Sequence, residues 1–159
     1  MRRSLFIDSN VWFSAFYRSG TCSDLIQNSI KQGFELYISE LVLEEVIRNI
    51  ELKLPHTLQN FIDYIHLHDI IVLEKPHIQA LKKYEFLAQK QDLPILVSAI
   101  ESPCEFFITG NIKDFKVKKI ASKHNLSILT PAQFMKILDI TDYTLPHNSD
   151  HWSRDVFTS

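Results

Sequence analysis

The sequence is poor in glycine and has no long hydrophobic run. Only 3 of its 159 residues are glycine, which argues against low-complexity structure and against glycine-rich phosphate-binding loops. No apolar stretch approaches the roughly 20 residues that a membrane-spanning helix needs. Met1 to Arg3 lead straight into an apolar strand without a cleavable hydrophobic region. We therefore expect a soluble, cytoplasmic protein with no membrane partner.

Cysteine is equally scarce, and the two residues present, Cys22 and Cys104, stand far apart. Neither has a second cysteine or a histidine at metal-ligand spacing, which argues against a zinc knuckle or a disulfide framework. Hydrophobic residues make up 45% of the chain and charged residues 23%, with a formal net charge of -2. This composition is typical of one ordinary globular domain. The small net charge does not identify a partner, because a local basic patch can lie within a neutral total.

Short apolar strands alternate with amphipathic helices along the chain. The first strand ends at Ile7, and four more are predicted at 34–38, 69–73, 105–109 and 126–129. Ser39 is predicted to cap one helix, and another is predicted from Pro76 through Leu87. Such alternation predicts an α/β fold with a central parallel sheet of about five strands, flanked by helices. We assign 1–140 to this single domain and 141–159, which lacks periodicity, to an irregular tail.

Four acidic residues fall at element ends that a parallel sheet brings to one edge. Asp8 follows the first strand, Glu45 lies in the first turns of a helix, Asp92 stands at a helix start, and Asp114 comes just after the fourth strand. Carboxylates gathered without matching Lys or Arg repel one another unless a cation offsets them. Oxygen-only ligands favour Mg²⁺ or Mn²⁺, and such a centre is suited to phosphodiester hydrolysis.

Each of these acids also has a plainer interpretation. Asp92 could be only a helix N-cap. Glu45 could lie on a solvated helix face and pair with Arg48. Asp114 could be an ordinary loop acid. The spacing of the four residues alone does not decide between these interpretations.

Four motifs in order make the chain resemble a PIN domain over about Leu5 to Leu138. The motifs are LFIDSNV at 5–11, SELVLEEV at 39–46, Asp92 with Ala99, and ITGNIKDF at 108–115. Four separate motifs at the expected order and spacing are far more specific than any one of them.

The resemblance implies a metal-dependent ribonuclease that cleaves single-stranded RNA, commonly the toxin of a bacterial toxin–antitoxin pair. It implies that Asp8 and Asp92 bind the principal Mg²⁺ or Mn²⁺, that Glu45 binds the ion through water or orients the attacking water, and that Asp114 supports a second ion. An antitoxin protein and a second copy in a homodimer are the implied partners. Side chains expected to hold the carboxylates by hydrogen bonds are Ser9, Asn10 and Thr109.

The fourth motif departs from the commonest form of the family. Asn111 stands where many members have an aspartate directly after the Thr-Gly pair, and Asp114 follows three residues later. A neutral oxygen from Asn111 and a carboxylate from Asp114 are therefore both open as the fourth ligand.

Lysines are concentrated beside this motif. A strip of them could track an RNA backbone, and an exposed charged helix face is an equally good interpretation. The aromatic residues near the first strand could stack on bases, although their spacing is more typical of core. The lysines concerned are Lys113, Lys116, Lys118, Lys119 and Lys123, and the aromatic residues are Trp12, Phe16 and Tyr17.

Three other functions remain to be weighed. A catalytically silent PIN-like module that binds RNA or a protein partner is the main alternative. A dinucleotide-binding enzyme would need a GxGxxG motif after a strand, and none is present. A phosphotransferase with a DxD motif would need an acidic residue at position 10, where this chain has Asn10.

His147 and His151 are four residues apart, as in a zinc-binding helix, but have no third ligand, so we attribute their spacing to chance.

Overall fold

The computed structural model describes residues 3–142, in which strands and helices alternate as predicted. The strands are β1 (Ser4–Ile7), β2 (Glu35–Ser39), β3 (Ile71–Leu73), β4 (Phe106–Ile108) and β5 (Ser127–Leu129). The helices are α1 (Ser9–Tyr17), α2 (Thr21–Lys31), α3 (Glu40–Lys53), α4 (Leu58–Leu67), α5 (Ile78–Lys83), α6 (Leu93–Glu101), α7 (Val117–His124) and α8 (Pro131–Asp142). Short 3₁₀ helices lie at Pro55–Thr57 and Ile112–Asp114.

The five strands form one parallel sheet in the order β3-β2-β1-β4-β5. This confirms the predicted α/β class and the strand number. The chain leaves β1 toward β2 and β3 on one side and later returns to β4 and β5 on the other. The crevice between β1 and β4, at their carboxyl ends, is therefore the topological switch point where open α/β sheets bind ligands. Ile7 is in register with Ile108, so Asp8 and Thr109 are neighbours in this crevice.

The central strand β1 is completely buried, as expected for a parallel strand covered on both faces. Aromatic side chains hold α1 beside it. Trp12 and Phe16 pack edge-to-face against Phe61 and Tyr64 of α4, with ring centroids 5.2 to 6.5 Å apart. Trp12 and Phe16 are thus core residues, whereas Tyr17 is exposed.

Helix ends follow the local sequence signals. The Ser39 hydroxyl accepts a hydrogen bond from the Val42 N–H at 3.2 Å and caps α3, as predicted. Thr130 and Gln133 form a capping box at the start of α8, with each backbone N–H donating to the other residue's side-chain oxygen at 2.9 and 3.2 Å. The chain after α2 turns at Gly33, whose φ of +85° favours glycine.

The predicted helix from Pro76 through Leu87 is wrong at both ends. Helix α5 covers only Ile78–Lys83, and the chain then turns, with the Leu87 N–H donating to the Tyr84 carbonyl at 3.0 Å. The Leu87 carbonyl accepts from the Lys116 N–H at 3.3 Å, and the next residue, Ala88, forms an antiparallel bridge with Phe115. Pairing with the chain that follows β4 therefore replaces the helical hydrogen bonds.

Several sequence expectations concern features away from the sheet. No helix within residues 3–142 is long and apolar enough to cross a membrane. Cys22 and Cys104 are free thiols, Cys22 partly buried and Cys104 buried. Helix α8 extends to Asp142, two residues into the predicted tail. The rest of that tail, including His147 and His151, lies outside the described residues.

Candidate active site

Asp8 joins the end of β1 to the start of α1. Its N–H continues the ladder by donating to the Ile108 carbonyl at 2.9 Å. Its Oδ1 accepts a hydrogen bond from the Ser9 N–H at 2.7 Å, so that the carboxylate caps α1. The residue is only 6% exposed. A charged side chain is thus placed in the floor of the crevice and not on its surface.

Two side chains bridge Asp8 to the end of β4. Asp8 Oδ2 accepts hydrogen bonds from Thr109 Oγ1 at 2.8 Å and from Asn10 Nδ2 at 3.4 Å. Asn10 Oδ1 in turn accepts from the Gly110 N–H at 3.0 Å, and Thr109 Oγ1 accepts from the Asn111 N–H at 3.1 Å. A Cβ at Gly110 would stand 3.3 Å from Asn10 Oδ1, so the absence of a side chain allows this close approach.

Burial raises the pKa of Asp8 above its ordinary value of 3.8. The hydrogen bonds from Thr109 and from the Ser9 backbone lower this pKa, whereas the charges of Glu45 and Asp92 raise it further. The balance is a raised pKa. The donors around Asp8 therefore offset only part of the cost of burying its charge next to other acids.

Asp92 precedes α6 but does not cap it. Its side chain makes no capping hydrogen bond, so the interpretation of Asp92 as a plain N-cap is wrong. The Oδ2 atom is buried and has no hydrogen-bond partner among residues 3–142. Burial raises the pKa of this carboxyl, and the charges of Asp114 and Glu45 raise it further. An acceptor without a donor, beside other acceptors, is a costly arrangement in a folded protein.

Glu45 lies on α3 next to an acid of different character. The exposed Glu44 forms a salt bridge with Lys75, with 2.9 Å between Nζ and Oε1. Glu45 is partly buried and, within the described residues, forms no ion pair with Arg48 or another cation. Glu44 is thus the solvated, paired acid of this turn, and Glu45 faces the crevice closely enough to raise the pKa of Asp8.

Asp114 ends the 3₁₀ helix that follows β4 and is partly buried. The pairing of residues 87–88 with 115–116 brings this segment beside the chain that leads to Asp92. The charge of Asp114 accordingly raises the pKa of Asp92. In the described part of the chain, Asn111 contacts the site only through its backbone N–H, and its side chain is exposed. Of the two alternatives for the fourth position, Asp114 is the one that interacts electrostatically with the cluster.

The four acids thus act on one another, but as they stand they do not enclose an ion. Within residues 3–142, no three His, Cys, Asp or Glu side chains are close enough together to hold one metal ion. Mg²⁺ commonly keeps several waters and is held by only one or two carboxylates. The unpartnered Asp92 Oδ2, the oxygen-only donors and the raised pKa values of Asp8 and Asp92 fit such a cation.

The remaining sequence candidates lie around this crevice. Ser9, Asn10 and Thr109 all donate to the Asp8 carboxylate. The five lysines of the fourth motif and α7 are all exposed: Lys113, Lys116, Lys118, Lys119 and Lys123. Sequence reasoning did not identify the Gly110 N–H as a partner of Asn10. It also missed the pairing of residues 87–88 with 115–116, for which no short-range signal exists.

Comparison with known proteins shows the fold. No protein-family model and no curated protein sequence matches the chain. Among solved structures, the chain is similar to one in the crystal structure of VapBC2 from Rickettsia felis bound to a DNA fragment from their promoter. The TM-score is 0.59 at 17% sequence identity, covering 80% of this chain and 98% of that one. The matched chain has the PIN-domain fold, so the PIN-like fold predicted from the four motifs is confirmed.

Replacing Asp92 with Asn should stabilise the metal-free protein at neutral pH. Because the pKa of Asp92 is raised on folding, the folded state binds this proton more tightly than the unfolded chain. The resulting stabilisation is fully present below the unfolded pKa and is lost as pH rises through the folded pKa. We expect Asp92→Asn in EDTA to melt at a higher temperature than wild type at pH 7.5, and the difference between the two melting temperatures to shrink as the pH falls toward 4.

The control is Glu101→Gln, which removes an exposed acid at the far end of α6. Its melting temperature should differ from that of wild type by a similar small amount at both pH values. If the difference in melting temperature between Asp92→Asn and wild type is the same at both pH values, the role assigned to burial and to the neighbouring acids is wrong.

Proposed function

We propose that the protein is an endoribonuclease that depends on Mg²⁺ or Mn²⁺ and hydrolyses phosphodiester bonds of single-stranded RNA. The observation that carries this proposal is the unpartnered, buried Oδ2 of Asp92 among three other acids at the switch point of the sheet. Repulsion between carboxylates destabilises the metal-free site, and a divalent cation is the ligand that relieves it. The PIN-like fold supports nuclease chemistry.

Asp8 and Asp92 are the residues that would hold the ion. When bound, it supplies a Lewis acid that lowers the pKa of water and offsets charge developing on the phosphoryl group. The chain itself orients the Asp8 carboxylate. The Ser9 backbone and the Asn10 side chain donate to it from the start of α1, and Thr109 donates to it from the end of β4. Such supporting donors hold a ligand in one position and tune its basicity.

Glu45 is the best candidate to orient the attacking water. Its carboxylate has no ion pair within the described residues and is only partly buried, so it can accept a hydrogen bond from water in the crevice. Asp114, which interacts with Asp92, would support a second ion. The exposed lysines Lys113, Lys116, Lys118 and Lys119 would contact the phosphates of the RNA.

We also propose that the protein works as the toxin of a toxin–antitoxin pair. The structural neighbour is a complex of this type. A protein partner that inserts a basic side chain among the acids would satisfy the unpartnered Asp92 oxygen and block the site at the same time. A homodimer is the assembly that we expect for the chain itself.

Cleavage of single-stranded RNA should require both a metal and the acids that hold it. We expect wild-type protein to cleave with Mg²⁺ or Mn²⁺ and not with EDTA. Asp8→Asn and Asp92→Asn should lower the rate at least 10²-fold, because each removes a carboxylate from the ion. The assay is gel analysis of end-labelled RNA, with circular dichroism to show that each variant is folded. A folded wild-type protein that cleaves with neither metal, or Asp92→Asn cleaving like wild type, would contradict the assignment.

Glu44 and Glu45 provide a matched pair of adjacent glutamates on α3. Glu45→Gln should lower the cleavage rate by 10²-fold or more, the usual contribution of a group that acts on the attacking water. Glu44→Gln loses only an exposed salt bridge to Lys75, so its rate should stay within about twofold of wild type. Equal losses in the two variants would indicate a general effect of charge on α3 and not a role for the Glu45 side chain.

The fourth position can be tested with Asn111 and Asp114. We expect Asp114→Asn to lower cleavage about 10–100-fold, because its charge acts on Asp92. Asn111→Ala should have little effect, since the substitution keeps the backbone N–H through which Asn111 donates to Thr109 Oγ1. Rates measured over a range of Mn²⁺ concentrations will show which variant weakens metal binding. A larger loss in Asn111→Ala would assign the fourth ligand to the amide oxygen instead.

A further inference from the structure

Phe86 is an exposed aromatic residue that the fold does not use. Its side chain is 69% exposed, although a buried phenylalanine would remove 150–250 Å² from water. It lies in the turn of residues 84–87, which the Leu87 N–H closes by donating to the Tyr84 carbonyl at 3.0 Å. The neighbouring Leu87 is 5% exposed. The turn therefore buries one apolar side chain and presents the next one to solvent.

This turn is attached at both ends to the basic segment that follows β4. The Tyr84 ring packs edge-to-face on the His124 ring at the end of α7, with centroids 5.3 Å apart. On the other side, the Leu87 carbonyl accepts from the Lys116 N–H at 3.3 Å. The two attachments fix the turn against α7, so the Phe86 ring is presented from an anchored position.

Exposed lysines are frequent in the two segments that this turn joins. Lys83 Nζ lies 5.1 Å from the centroid of the Tyr84 ring, and Glu85 is the only acid among residues 82–90. Eight lysines of the two paired segments are exposed: Lys82, Lys83, Lys90, Lys113, Lys116, Lys118, Lys119 and Lys123. An exposed aromatic face within a lysine-rich surface matches a ligand that carries both flat rings and phosphates. Single-stranded nucleic acids are bound by this combination of base stacking and backbone contact.

The turn also adjoins the acid cluster. Asp92 follows Leu87 by five residues, and Asp114 precedes Lys116 by two, with Leu87 and Lys116 joined by a hydrogen bond. A strand of RNA held by these lysines would therefore lie on the two segments that also carry Phe86, Asp92 and Asp114.

We propose that Phe86 is a stacking platform for an unpaired base of the RNA, close to the bond that is cleaved. This inference rests on the proposed ribonuclease function and adds to it a residue that positions the substrate and favours bases with larger π surfaces. The lysines contact the backbone, which every sequence shares, whereas the ring contacts the base. Single strands that carry bases should accordingly bind more tightly than an abasic strand of the same length.

The experiment measures binding in EDTA, where the proposed cleavage is stopped. Fluorescence anisotropy is recorded for labelled oligoadenylate, oligouridylate and an abasic ribose-phosphate oligomer of equal length. Phe86→Ala should bind oligoadenylate about tenfold more weakly than wild type and the abasic oligomer equally well. Phe86→Leu, which keeps an apolar side chain, should lose as much, and Phe86→Tyr should bind like wild type. Lys116→Ala should weaken binding to all three.

Leu67→Ala is the matched control. Leu67 is 72% exposed at the end of α4, which leads to the amino end of β3, at the edge of the sheet opposite the acids. Its removal should change none of the three affinities. The side chains of Leu67 and Phe86 are both exposed, so truncating either one leaves no cavity in the core.

The outcomes separate this inference from the nuclease proposal. Phe86-dependent binding by a protein that cleaves with neither metal would support stacking and contradict the nuclease. Cleavage and binding unchanged in Phe86→Ala would overturn stacking alone. The inference is also overturned if wild-type protein binds none of the oligomers, if Phe86→Leu binds like wild type, or if Phe86→Ala changes only the mass measured by light scattering, which would assign the ring to a protein contact.

Discussion

The buried carboxylate of Asp8 is the constraint on which the rest of the site depends. Moving a charge out of water is costly unless donors replace its hydration. Here the donors come from two places, Ser9 at the start of α1 and Thr109 at the end of β4. Ser9 follows Asp8 directly in the chain, whereas Thr109 can reach Asp8 only because β4 lies directly beside β1. The placement of β4 beside β1, which forms the crevice, therefore also provides a hydrogen-bond donor for the Asp8 carboxylate within it.

Rigidity of this arrangement comes from the core beneath it. The strand before Asp8 is fully buried, and Trp12 and Phe16 fix α1 against α4. Because Asp8 is both the last residue before α1 and its N-cap, movement of the helix would move the carboxylate. Asn10 links the same first turn to Gly110. A site held by packed elements on both sides keeps its donors aimed without further adjustment.

Sequence pattern predicted most of the fold because its signals are local. Apolar runs, the Ser39 cap and the Thr130 capping box each depend on a few adjacent residues, and parallel strands place Asp8 beside Thr109 by topology alone. The position of Asp92 at a helix start was predicted, but its surroundings were not. An aspartate before a helix is ordinarily interpreted as an N-cap, and only the structure shows that its Oδ2 atom has no donor within the described residues. The end of α5 was also missed, since it depends on pairing with residues about 28 positions away, from Leu87–Ala88 to Phe115–Lys116.

The separation of charge in this region is informative in itself. The chain provides a lysine for the exposed Glu44 but, within the described residues, none for Glu45 one position later. Eight lysines flank Asp92 and Asp114 along the sequence, yet all are exposed, and the charges that act on Asp92 are those of other acids. A lysine side chain directed toward the four acids would neutralise them and stabilise the folded protein. Acids in the crevice and exposed lysines on the neighbouring segments are instead the arrangement that the proposed ligands require, a small cation at the acids and a polyanion on the lysines.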